Sequence, residues 1–186
     1  MGGKPTRTTW APRGCESCEY LRLASGARDL RYLLDTSILC RLVRPDDPQH
    51  NEARKAVELL LEQRSQLFIT PQVEREFWVV ATRPREQNGL GLRPDEAQDE
   101  MKAFERICSF LPDSPKVHEN WRQLVAEYDV RGKEAHDAGH VAAMCCHKIE
   151  NILTFDSADF RRYEKLLRAW IPGPLLAEAA AKDDGT

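Results

Sequence analysis

Two short apolar runs, each followed at once by an acid, constrain this chain most. Tyr32-Leu33-Leu34 leads straight into Asp35, and Ile152-Leu153-Thr154-Phe155 into Asp156. Continuous apolar runs this short suit strands buried on both faces. A third run, Gln66-Leu67-Phe68-Ile69-Thr70, has the same character. Helical patterns separate the three, and strands alternating with helices imply an α/β fold with a mostly parallel sheet flanked by helices. In such folds ligands gather at the carboxyl ends of the strands. Asp35 and Asp156 therefore belong on one edge, where a site is expected.

The helices follow from spacing and punctuation. Ser37 is the expected N-cap of a short helix through Val43, with Pro45 ending it. A second helix opens near Pro48 and repeats Ala53, Ala56, Val57, Leu60 and Leu61 at helical intervals. Pro71 suits the first position of a third, with Val73, Phe77, Val80 and Ala81 on one face. Two prolines and two glycines between Thr82 and Pro94 mark a loop. Helices are then expected over 95–109, 116–128 and 133–147. After the strand at 151–155 come a helix from Ser157 to Leu167 and an edge strand at 168–171.

Two more acids reach the same edge from helices. Glu76 stands beside the apolar face formed by Val73, Phe77 and Val80. Asp137 borders the face of Ala138, Val141, Ala142 and Cys145. Carboxylates half drawn into a fold are costly unless compensated, and converging ones repel by about 4 kcal/mol per close pair at an effective dielectric near 20. Protonation or a bound cation must relieve them. Oxygen ligands without an organised His or Cys set favour Mg²⁺ or Mn²⁺ over zinc. Phosphate-ester hydrolysis is chemistry that such a site supports.

The ordered motifs also resemble a family. Tyr32-Leu33-Leu34-Asp35-Thr36-Ser37, then Thr70-Pro71-Gln72-Val73 with Glu76-Phe77, then Val80-Ala81-Thr82-Arg83-Pro84 are similar to PIN-domain ribonucleases, most of all VapC-type toxins. Gly132-Lys133, His136-Asp137-Ala138, Leu153-Thr154-Phe155-Asp156 and Asp159-Phe160 continue the likeness in order. It covers residues 31–172, with 1–30 a loose N-terminal extension and 173–186 a flexible tail. The family's start lies closer to its first Asp, so the thirty leading residues depart from its pattern. The resemblance implies a Mg²⁺- or Mn²⁺-dependent endoribonuclease, inhibited by a small antitoxin and commonly a homodimer. Its acidic quartet falls on Asp35, Glu76, Asp137 and Asp156, with Asp35, Asp137 and Asp156 as metal ligands and Glu76 joining them or orienting water. Asp159 competes with Asp156 for the fourth place, because relatives often carry Asn there. Glu74 competes with Glu76 on position alone. Thr36, Ser37, His140 and Arg83 are expected around the metal or against RNA.

Composition narrows the classes. A net charge of -3 does not suit a groove-tracking nucleic-acid binder, though an enzyme that engages phosphates through metal needs no basic excess. No apolar run approaches the roughly 20 residues that cross a bilayer, and residues 1–30 lack a secretory h-region. A cytoplasmic location with reduced thiols is expected for the six cysteines. Cys15 and Cys18 have the spacing of half a zinc site without a second half, and Cys145-Cys146 suits core filling. His136, His140 and His147 share a flank, with His140 a polar neighbour of Asp137. Arg83, Arg85 and Arg93 bracket the loop after Glu76, and Trp78 points off the core face of its helix. Alternatives to the toxin are a PIN-fold RNA-processing nuclease outside a toxin pair, a phosphotransfer hydrolase with Asp35 as nucleophile, and a non-catalytic partner protein retaining the acids.

Overall fold

The computed structural model describes residues 30–183, so Cys15, Cys18 and the N-terminal extension lie outside the described residues. Five parallel strands form one sheet: β1 (Arg31–Leu34), β2 (Gln66–Ile69), β3 (Ser109–Phe110), β4 (Asn151–Leu153) and β5 (Arg168–Trp170). Their order is β3-β2-β1-β4-β5. The chain winds outward from β1 to β3, then returns to the other side of β1. The reversal falls between β1 and β4, where parallel sheets open a crevice for ligands.

Among the described residues, seven α-helices complete the layers: α1 (Thr36–Leu42), α2 (His50–Glu62), α3 (Pro71–Thr82), α4 (Pro94–Phe104), α5 (Pro115–Glu127), α6 (Glu134–His147) and α7 (Pro172–Asp183). Hydroxyl caps start two of them. Thr70 and Ser114 each accept the amide three residues on, and each precedes a proline at the first helical position. The core lies between sheet and helices, with Leu33, Leu34, Ile69, Phe77, Ile152 and Leu153 fully buried. Phe77 meets Phe104 edge-on at 5.4 Å, which ties α3 to α4.

The structure departs from the expected elements at four places. Asp35, not Ser37, occupies the N-cap position of α1. Its carbonyl accepts the first helical amides, while its side chain caps nothing. The helix expected over 95–109 stops at Phe104, and β3 follows. That two-residue strand is exposed on both positions, so it leaves no apolar run to read. The segment after Asp156 is a 3₁₀ helix, Ser157–Tyr163, rather than an α-helix to Leu167. Residues expected to form a flexible tail instead make α7, which packs on α2 and buries Leu175. Its opening Pro172-Gly173-Pro174 reads as a chain end, yet a proline at the first turn suits a helix start.

Candidate active site

Asp35 is fixed by the sheet itself. It follows β1 directly, and its amide donates to the Leu153 carbonyl of β4 at 3.0 Å. Two hydroxyls then donate to the same carboxylate oxygen, Oδ2: Ser37 Oγ at 2.6 Å and Thr154 Oγ1 at 2.7 Å. Thr154 is fully buried, and its oxygen also accepts the Asp156 amide at 2.9 Å. Ser37 Oγ accepts the Phe155 amide at 3.1 Å. One hydroxyl from each side of the switch point thus clamps Asp35 to the turn that carries Asp156. Asp35 as a whole is 8% exposed.

A cleft of about 360 Å³ opens here. Asp35, Glu76, Asp137, Asp156 and Asp159 all line it, with Thr36, Ser37 and His140. The sheet, α3, α6 and the 3₁₀ segment thus bring five of the six acids named from sequence to one place, and both Asp156 and Asp159 are present. Glu74 is not among the lining residues. Arg83 is not either: it closes the C-terminus of α3, and its carbonyl accepts the Gly91 amide. The loop arginines have other partners, Arg85 donating to the Leu90 carbonyl and Arg93 pairing with Asp95 and Glu96. The three histidines do not cluster. His147 faces the Pro112 carbonyl, His136 is exposed, and His140, 2% exposed, sits against Glu76 in the cleft wall.

The acids sit in contrasting environments. Both oxygens of Glu76 are engaged, Oε1 by the Gln72 amide at 2.8 Å and Oε2 by Thr36 Oγ1 at 2.9 Å and His140 Nε2 at 3.3 Å. Burial alone would raise this carboxyl, but those donors and the His140 charge hold it at about 2. Asp137 gains no such help. Burial, then the negative charges of Asp159, Asp35 and Glu76, push it up to about 6 against a smaller pull from His140. Burial and the Asp35 and Asp159 charges raise Asp156 as well, with Arg41 opposing. His140 has the reverse balance: burial disfavours its cation, yet Glu76, Asp35 and Asp137 raise its pKa.

Four residues here escaped the sequence reading. Thr154 and Gln72 stood inside the quoted motifs with no role of their own, and Cys40 lay on a helix face without a motif. Arg41 lines the cleft, donates to the Ser37 carbonyl at 2.8 Å and covers the Phe155 ring at 4.4 Å.

The donor chemistry fits a hard divalent cation, since it offers carboxylate oxygens and unrelieved negative charge at Asp137 and Asp156. Among the described residues, no three His, Cys, Asp or Glu side chains are drawn into a finished cage.

The model of the PIN domain family matches residues 32–166. The chain belongs to the PIN-domain family. The PIN fold is shared with VapBC2 from Rickettsia felis bound to a promoter DNA fragment, at 16% identity over 76% of this chain and 99% of that one, TM-score 0.58. It is shared with Mycobacterium tuberculosis VapC20, a sarcin–ricin loop cleaving toxin, at 18% identity over 69% and 92%, TM-score 0.52. A toxin–antitoxin complex from Klebsiella pneumoniae aligns at 22% identity over 76% and 97%, TM-score 0.54. No curated protein matches the chain. Among the described residues, no helix of this PIN domain is long and apolar enough to cross a membrane.

Proposed function

We propose that this PIN domain is an endoribonuclease dependent on Mg²⁺ or Mn²⁺, acting as the toxin of a toxin–antitoxin pair. The observation that carries the reading is Asp35, clamped at the sheet's switch point in one cleft with Glu76, Asp137, Asp156 and Asp159. The toxin assignment draws support from the fold shared with VapBC complexes and a sarcin–ricin loop cleaving VapC toxin.

Asp35, Asp137 and Asp156 would hold the cation, with Asp159 within the same lining. A bound divalent ion there supplies charge neutralisation at the phosphate and a lowered pKa for attacking water. Ser37 and Thr154 fix the rotation of the Asp35 carboxylate by engaging Oδ2 twice. Glu76 stays ionised and oriented, because Thr36, Gln72 and His140 satisfy both its oxygens. That suits it to orient water more than to change partners. Arg41 is positioned to offset phosphate charge on the Asp156 side. The products would carry 5′-phosphate and 3′-hydroxyl ends.

The antitoxin would be a small protein, the oligomer a homodimer and the location cytoplasmic. Trp78 and Val79, exposed on α3 at 40% and 51%, offer apolar surface for a protein contact. Inducible expression with and without Asp35→Asn, followed by RNA end mapping, tests the proposal. Growth arrest with new 5′-phosphate ends from the unaltered chain alone is expected. Identical behaviour of the two chains would defeat it.

A further inference from the structure

The carboxyl edge of the sheet carries a second recess beside the acidic cleft. It lies past the ends of β2 and β3, between the start of α3, the first turns of α5 and the first half of α6, and encloses about 380 Å³. Its walls differ in chemistry from the first, presenting Arg75, His118, Trp121 and His136 with a single acid, Asp113. His118 stacks on Trp121 with ring centroids 5.8 Å apart and planes 22° from parallel. Trp121 Nε1 donates to the Ala135 carbonyl at 2.9 Å, which fixes the indole, while the imidazole above it is exposed. Arg75 approaches Asp113 at 3.6 Å with both side chains more than half exposed. A pair of that kind is weak and yields to a better anion.

Gln72 is the partition between the two recesses. Its amide donates to Glu76 Oε1 at 2.8 Å on the acidic side and to the His136 carbonyl at 2.7 Å on the other. Gly139 leaves the space this side chain needs, since a Cβ there would collide with it. The two recesses are therefore immediate neighbours along one edge.

We propose that the second recess is a nucleotide subsite. It takes one unpaired nucleotide of single-stranded RNA flanking the scissile phosphate, with the base on the His118–Trp121 pair and a phosphate against Arg75. The inference rests on the ribonuclease reading above. A polymer whose phosphate enters the acidic cleft must continue past it, and a carboxylate wall repels the neighbouring phosphates. The adjacent recess offers what an unpaired nucleotide uses instead, a flat aromatic surface and a guanidinium. Stacking is tolerant of base identity, so the subsite sets register and affinity more than sequence.

Two measurements test it. The Asp35→Asn chain is irradiated with a single-stranded oligoribonucleotide of about ten residues carrying 5-iodouridine at random positions, and the cross-linked peptides are sequenced. Cross-links are expected on the segment holding His118 and Trp121. In parallel, the exposed-site variants His118→Ala and Arg75→Gln are assayed with the same RNA in Mn²⁺. A KM raised about tenfold or more with kcat near that of the unaltered chain is expected. Cleavage by the unaltered chain with cross-links elsewhere and an unchanged KM in both variants would overturn the subsite alone. The same result would follow if a partner protein used this face. No RNA cleavage by the unaltered chain would overturn the ribonuclease reading and the subsite with it.

Discussion

On the α3 wall of the cleft, Glu76 meets three donors and holds its charge down to about pH 2. On the α6 wall, Asp137 meets three other acids and keeps its proton up to about pH 6. Both acids are half-buried and lie on facing helices. What separates them is the company each keeps: hydroxyl, amide and imidazole on one side, carboxylates on the other. One wall is complete without a cation, and the other is not. A site prepared this way fixes one anion in advance and leaves the remaining charge to be satisfied by what binds.

The largest effect that sharpens this contrast is metal removal. Chelation with EDTA should lower RNA cleavage by roughly 10³-fold, and Mn²⁺ should restore it, as several kcal/mol of charge stabilisation imply. Next is the donor set on the complete wall. His140→Asn should cost about 1–3 kcal/mol of stability, because it takes a buried partner from Glu76. Urea midpoints measure that loss. The Glu76 carboxyl should also titrate upward from about 2 by carbon-detected NMR. Its folded pKa lies below the ordinary 4.5, so its stabilisation is full above pH 4.5 and fades as pH falls toward 2.

The incomplete wall has the opposite sign. A proton on Asp137 competes with a cation, so Mn²⁺ affinity should fall about tenfold per pH unit below 6 and level off above 7. Isothermal titration at stepped pH reads this directly, and a flat profile would break the contrast. The smallest effect concerns the metal-free fold. With a folded pKa raised from 3.8 to about 6, ionising Asp137 costs stability as pH rises through that window. Asp137→Asn should therefore stabilise the metal-free chain near neutrality by about 1 kcal/mol, a figure reduced for solvent screening. Thermal melts in EDTA check the sign.

Legibility from sequence followed the same division. Asp35 could be placed because a strand fixes the residue that follows it. Asp156 is expected directly after a strand, but β4 ends at Leu153, and the Asp156 amide is held instead by Thr154 Oγ1 in the turn beyond it. Glu76 and Asp137 could be placed beside apolar helix faces by periodicity. Periodicity does not say which donors surround an acid, and Gln72, Thr154 and the inward orientation of His140 arise only when separate elements pack. The two-residue β3 left no trace because both residues are exposed. Helix α7 was hidden by Pro172-Gly173-Pro174 and a run of alanines whose main buried anchor is Leu175. The resemblance to PIN domains, carried by the motifs around Asp35, Glu76, Asp137 and Asp156, agrees with the family match over residues 32–166.

Titration of the metal-free chain with Mn²⁺ near pH 7.5, beside Asp35→Asn, bears most directly on the cleft as a cation site. Saturable binding by the unaltered chain, lost or strongly weakened in the variant, is expected. No binding by the unaltered chain, or equal binding by both, would contradict it.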